Sequence, residues 1–186
     1  MSVFKIVNEK YSKLGDLKNL IRYAVREDHC MEGICGAQGL LLGSPEGMYQ
    51  QMYDIKGTYY KREGRQAKHF ILSFDEEERK FIGLREAEWI GYEVAAFFWK
   101  WQVVFGVHTN TENLHIHFVL NTVSYEDGLK YNVSLPELQV LREKVEMLVE
   151  QFYYSKHRTL FTAVPSVEGT IEGMISSGPA LFPCQI

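Results

Sequence analysis

Three of the chain's six histidines fall within one ten-residue run, His108-Thr-Asn-Thr-Glu-Asn-Leu-His115-Ile-His117, with Asn121 just beyond it. The flanks, Gln102-Val-Val-Phe-Gly-Val107 before and Phe118-Val-Leu120 after, are β-branched and aromatic, so each reads as a strand, and the polar segment Thr109 to Leu114 reads as the loop of a β-hairpin. Residues two apart in a strand share a face. His115 and His117 therefore point the same way, Ile116 and Phe118 point to the other side, and His108 at the end of the partner strand swings across to meet the pair. Three converging imidazoles make a site for a divalent metal with coordination positions left open for substrate, which marks a catalytic rather than a structural centre. Two histidines alone would be read as polar residues on a half-exposed strand. The third, at the hairpin's other edge, turns the reading towards a metal.

The elements that must position this hairpin follow from the rest of the chain. Its 186 residues suit one domain with a real core, and 46% hydrophobic and 24% charged residues are globular values. The formal net charge of −4 excludes a protein that binds nucleic acid through bulk positive charge, so such a function needs a local basic patch or metal and aromatic contacts. Cys30, Cys35 and Cys184 are odd in number and lack a zinc-ribbon spacing, which favours reduced thiols. The N-terminus is no signal peptide and no apolar run approaches a membrane span, so the expectation is a soluble, cytoplasmic protein.

In chain order, residues 3–8 read as a strand. Asp16 reads as the cap of a helix to about Arg26, with Leu17, Leu20, Ile21 and Ala24 on one side and Tyr23 beside Arg22. Residues 29–47 are Gly-rich and read as a loop ending in the turn Ser44-Pro45-Glu46-Gly47, with a short helix from Met48 to Asp54. The stretch from Lys56 to Lys68 interleaves Lys56, Lys61, Arg62, Arg65 and Lys68 with Tyr59 and Tyr60, the mixture that phosphate contacts and base stacking need, although a solvated loop has the same composition. His69 to Phe74 reads as a strand, Asp75 to Glu78 as a turn, and Leu84 to Lys100 as a helix laid against a sheet. Glu126-Asp-Gly128 is a turn leading to Lys130. Ser134, with Pro136 in the first turn and Glu137 at the capping-box position, starts a second long helix whose stripe is Leu138, Leu141, Val145, Leu148, Val149 and Phe152. The expected organisation is a domain over 1–155 and an irregular tail over 156–186. Its fold class is α+β, an antiparallel sheet carrying the histidine hairpin on one face and packed by helices on the other.

These residues resemble the relaxase/mobilisation nuclease family, the metal-dependent tyrosine endonucleases that nick plasmid and conjugative-element DNA. Ile21-Arg-Tyr23-Ala-Val25 resembles the first motif, which carries the nucleophilic tyrosine. His69-Phe-Ile-Leu-Ser73-Phe74 resembles the second, whose serine contacts DNA near the nick. His108 to Asn121 resembles the third, with its metal-binding histidines and trailing Asn, and Gly128-Leu-Lys130-Tyr131 resembles the Gly-Lys-Lys-type turn after it. The likeness runs over roughly residues 3–154 in the family's motif order. It departs from the pattern at Asn110, where the family usually has Asp. Asn keeps a hydrogen bond but supplies neither charge nor a proton acceptor, and Glu112 is the nearby carboxylate that would substitute. Family members also commonly continue into a longer C-terminal region.

The resemblance implies a relaxase-like two-layer or three-layer sandwich and a mechanism. Tyr23 attacks a phosphodiester of single-stranded DNA at a transfer origin, giving a 5′-phosphotyrosine and a 3′-hydroxyl. A divalent ion on His108, His115 and His117 neutralises the phosphate; Mn or Mg is expected in use, with Zn, Ni or Co also suited to imidazole. Ser73, Asn121, Lys130 and the Lys56–Lys68 stretch hold the strand, and accessory relaxosome proteins are the expected partners. The competing reading is a catalytically weak or inactive DNA-binding protein derived from such a nuclease, with Asn110 in its favour. A rolling-circle initiator uses similar chemistry, but its tyrosine follows its histidines, whereas Tyr23 precedes them.

Overall fold

A computed structural model describes residues 2–7, 9–13, 15–26, 34–132 and 134–161, with side chains up to 156. Its centre is a five-stranded sheet, antiparallel throughout, built from β1 (Val3–Ile6), β2 (Cys35–Gln38), β3 (Ala67–Ser73), β4 (Val103–His108) and β5 (His115–Asn121) in the order β1-β3-β5-β4-β2. The hairpin β4–β5 forms as its apolar flanks require, with His108 opposite His115 in register. Every residue of both strands is buried. An antiparallel sheet with one wet face would alternate, so complete burial of the central pair means that both faces are covered.

Both are. Phe4, Phe70, Leu72, Phe105, Ile116, Phe118 and Leu120 point to one side, against α3 (Leu84–Phe97) and α4 (Leu135–Phe161). Phe70 stacks on Phe98 at 5.3 Å between centroids, and Phe105 meets Phe118 at 5.8 Å. Each ring so buried contributes about 1.5–3 kcal/mol, so this face carries most of the fold's stability. Gly91 of α3 lets the helix approach closely, since a Cβ there would lie 2.4 Å from the Phe105 ring. The opposite face packs Ala67, Val104 and Val119 against Leu17, Leu20, Ile21 and Ala24 of α1 (Asp16–Ala24) and Met48 and Met52 of α2 (Pro45–Thr58). The α+β class holds, as a three-layer sandwich. The expected helices on one face are joined by α1 and α2, which share the other face with the histidines.

Several local expectations shift for identifiable reasons. Asp16 is the first helical residue of α1 rather than its cap; Gly15 holds the cap position, and the Asp16 carboxylate accepts from the Lys13 N–H at 2.8 Å. The stretch read as a Gly-rich loop contains β2, whose short side chains suit an edge strand pairing with β4, while residues 27–33 lie outside the described residues. The helix expected from Met48 begins at Pro45 and runs to Thr58, because Ser44 caps it by accepting from the Gly47 N–H at 3.2 Å and proline fits its first turn. The capping box at Ser134 forms, Glu137 accepting from the Ser134 N–H at 2.8 Å. α4 then continues to Phe161, across the division expected at 155, and residues 162–186 lie outside the described residues. Cys35 is a free thiol; Cys30 and Cys184 are not among the described residues.

Candidate active site

Strand register builds the site. On the face shared with α1, β5 presents His115 and His117, β4 brings His108 opposite His115, and β3 places Ser73 opposite His115 and Ile71 opposite His117. One ring nitrogen from each of His108, His115 and His117 lies within 4.8 Å of the others, the one such cluster among the described residues. All three are largely buried, His115 the most exposed at 9%, and His117 lines the open groove beside the cluster.

Each imidazole is held from behind. His108 Nε2 donates to the Ala24 carbonyl at 2.8 Å, capping one of the unsatisfied carbonyls at the end of α1. His115 Nδ1 lies 2.8 Å from the Asn113 carbonyl and 3.3 Å from Thr111 Oγ1, both in the hairpin loop. His117 Nδ1 lies 2.8 Å from His69 Nε2. These contacts orient the rings, so a cation would be taken by His108 Nδ1, His115 Nε2 and His117 Nε2. A second hydrogen bond behind every ligand ring is the arrangement that fixes tautomer and direction at metal centres. Three imidazole nitrogen donors fit a divalent ion with coordination positions left for other ligands.

Tyr23 sits in the last turn of α1. Leu20, Ile21 and Ala24 anchor that turn in the core, and Arg22 and Lys18 pair with Glu46 across to α2. The Tyr23 ring is 37% exposed and stands edge-on to His117 at 5.0 Å and to His108 at 5.6 Å. The phenol and the histidines thus share one pocket although 84 residues separate Ala24 from His108. The pocket belongs to an open groove of about 960 Å³ walled by Tyr23, Tyr11, His69 and His117 and edged by Lys5, Lys10, Lys13 and Asn19.

The remaining expected residues scatter. Asn110 and Glu112 are exposed in the hairpin loop, where the Glu112 carbonyl accepts from Arg79 at 2.5 Å. Asn121 is fully buried and donates to the Met52 carbonyl at 3.0 Å and to Gln102 Oε1 at 2.9 Å, so it ties α2 to the sheet instead of facing solvent. Lys61, Arg62, Arg65 and Lys130 gather beyond the Ala67–Asn121 end of the sheet, where Lys61 donates to the Gly128 carbonyl at 2.7 Å, Arg62 lies over the Tyr53 ring, and Lys130 donates to the Glu63 carbonyl at 2.8 Å. That end lies four strand residues from His117, about 13 Å. Lys68 alternates onto the opposite face of the sheet, beside Phe70.

Lys56 departs furthest. It is fully buried at the C-terminal end of α2, with Nζ donating to the Gln66 carbonyl at 2.9 Å and to Thr122 Oγ1 at 3.1 Å, which withdraws it from any surface contact with a strand. Burial, helped by the Lys130 charge, holds its ammonium down from 10.5 to about 7. Between those values the unfolded chain binds a proton that the folded chain does not, so this group makes stability rise with pH, by at most about 1.4 kcal/mol per pH unit. In urea unfolding of the wild type and Lys56→Met, the free-energy difference should move in the wild type's favour from pH 7 to pH 10; a pH-independent difference would contradict the lowered ammonium pKa.

Sequence reasoning missed His69 and Tyr11 as members of the site. Tyr11 Oη lies 3.0 Å from His69 Nδ1, and burial together with the neighbouring His108 pushes His69 down to about 4. Alternation along β3 put His69 on the face of Ser73, but only the pairing of β3 with β5 brings that face to His117.

The chain belongs to the MobA/VirD2-like relaxases: a scan against protein-family models matches residues 23–154 to their nuclease domain. It is therefore a DNA endonuclease of the transesterase kind. A search of curated proteins gave no match. Among solved structures, the Mn-bound MobM relaxase domain in complex with plasmid pMV158 oriT DNA is similar over 81% of this chain and 85% of that one, at 13% identity and a TM-score of 0.53. A structure described as the molecular basis of vancomycin resistance transfer in Staphylococcus aureus is similar over 84% of this chain and 94% of that one, at 11% identity and a TM-score of 0.51. A second MobM complex, with a 26-nucleotide oriT DNA, covers 81% and 86% at 13% identity and a TM-score of 0.51. At such identities these likenesses speak for the fold.

Proposed function

We propose that the protein nicks single-stranded DNA at a transfer origin by transesterification onto Tyr23, for mobilisation of a plasmid or conjugative element. The observation that carries this reading is the Tyr23 ring standing against His108 and His117, so that one phosphate can meet the phenol and the metal-binding nitrogens together. The Tyr23 oxygen attacks phosphorus, the bond to the 3′-oxygen breaks, and that oxygen leaves as a 3′-hydroxyl while the 5′-phosphate stays on the tyrosine. One phosphodiester replaces another, so the strand can be rejoined by reversal. His108, His115 and His117 would hold a divalent ion, Mn or Mg by preference, which would supply charge neutralisation to the phosphate. The phenol's proton must leave, and Glu112, exposed in the loop that starts at His108, is the carboxylate suited to receive it, with Asn110 as a hydrogen-bond partner. Ser73, opposite His115, is suited to hold the phosphate-bearing strand.

The groove along β1 and α1 suits the strand itself, with Lys5, Lys10 and Lys13 at its edge; Lys61, Arg62, Arg65 and Lys130 would serve a more distant stretch of DNA. Lys10→Ala with Lys13→Ala should weaken oligonucleotide binding evenly across sequences and lower the salt slope by roughly 1.4, about 0.7 per phosphate contact on a single strand. Fluorescence titration between 50 and 200 mM salt reads this, and an unchanged slope would put the strand elsewhere. Because the chemistry takes single-stranded DNA, accessory proteins that open the duplex are the fitting partners. No described helix is long and apolar enough to cross a membrane, which accords with work in the cytoplasm.

Asn110 favours a second reading, a DNA binder that turns over poorly. Incubating the protein with single-stranded transfer-origin oligonucleotide and Mn²⁺, with and without chelator, separates the two on a denaturing gel. A chelator-sensitive covalent adduct supports the nuclease; binding without adduct supports the second reading.

A further inference from the structure

The proposed chemistry leaves unused a run of hydrogen bonds along the groove wall. His117 Nδ1 meets His69 Nε2 at 2.8 Å and His69 Nδ1 meets Tyr11 Oη at 3.0 Å, and the negative charge of Glu9, on the same groove, bears on the Tyr11 hydroxyl. Tyr11 is held for this task. It is one of two non-glycine residues with positive φ among the described residues, and its carbonyl accepts from the Gln66 N–H at 2.7 Å.

A neutral imidazole carries one N–H and one lone pair. The run can therefore be ordered in only two ways. In the first, His117 Nδ1–H donates to His69, His69 Nδ1–H donates to Tyr11, and the tyrosine hydroxyl donates outward. In the second, Tyr11 donates to His69, His69 Nε2–H donates to His117, and His117 is left with its proton on Nε2, the nitrogen that faces His108 and His115. A carboxylate only accepts. The Glu9 charge near the Tyr11 hydroxyl draws that hydrogen outward and favours the first order.

We propose that Glu9, Tyr11 and His69 form a positioning relay that sets the tautomer of His117, holding its Nε2 lone pair towards the cluster before any ion arrives. His69 is a positioning residue; it acts on a cation only through His117. The inference gains its purpose from the metal-binding reading above, but the tautomer it assigns exists without an ion.

The test is a long-range ¹H–¹⁵N correlation of the histidine rings in the full chain with chelator present, paired with Mn²⁺ titration. In the wild type, His117 and His69 should both carry the proton on Nδ1. His69→Leu should move His117 towards the Nε2–H form and weaken Mn²⁺ binding about 10- to 100-fold, the usual cost of losing a partner behind a ligand. His69→Gln, whose amide oxygen still accepts, should restore both, and Tyr11→Phe should fall between. Nε2–H on wild-type His117 would overturn the relay, as would His69→Leu with tautomer and affinity unchanged. If His69→Leu does not fold, the wild-type tautomer alone decides. A wild type with Nδ1–H on His117 but no Mn²⁺ binding would support the relay and sink the metal reading, so the two failures are distinct.

Discussion

Tyr23→Phe should fold normally, bind oligonucleotide with nearly wild-type affinity, and form no covalent protein–DNA adduct. The substitution removes one oxygen from a ring that is already 37% exposed, while the turn beneath it stays anchored by Leu20, Ile21 and Ala24, so little stability is at stake. On the proposed mechanism that oxygen is the nucleophile. Loss of a nucleophile costs on the order of 10³- to 10⁶-fold in rate, so the adduct should vanish from a denaturing gel. Adduct persisting at wild-type levels would transfer the chemistry to another side chain. Tyr11, on the wall of the same groove, would then be the first to test.

The second large effect is expected at His115. Of the three clustered histidines it is the most exposed, and its Nδ1 contacts come from its own hairpin loop, so His115→Ala disturbs the core least. A ligand that binds only the folded chain stabilises it by RT ln(1 + [L]/Kd), about 2.7 kcal/mol at one hundred times Kd. For a domain of this size that is roughly a 5–10 °C rise in Tm. The wild type should show this rise with Mn²⁺. His115→Ala should lose most of it and lose nicking by about 10²-fold or more, with its metal-free Tm close to the wild type's. Equal Mn²⁺-induced rises in both proteins would remove His115 from the metal set.

How much was legible in the chain differs by residue. The histidine hairpin was readable because it is local: alternation puts His115 and His117 on one face whatever surrounds them, and His108 is tied to them through a short loop. The box at Ser134 and Glu137 was readable for the same reason, since a helix start is written within four residues. The places of Asn121, assigned from the family motif, and of Lys56, assigned from the basic stretch, were not legible in the chain. Each satisfies buried backbone carbonyls, Asn121 on Met52 and Lys56 on Gln66, and nothing in composition distinguishes a lysine that holds a helix from one that meets a phosphate.

The sequence by itself therefore determined the hairpin that groups three histidines and the family motifs in order from Tyr23 to Asn121. Tertiary structure alone decided that α1 shares the histidine face, so that Tyr23 meets His117, that β3 lies beside β5 in the register that joins His69 to His117 across 48 residues, and that the basic stretch lies at the far end of the sheet while Lys5, Lys10 and Lys13 edge the groove. The division has one physical cause. The face a residue takes within a strand or helix is a property of the local backbone period, whereas which strand lies next to which is settled by burying apolar surface between segments far apart in the chain.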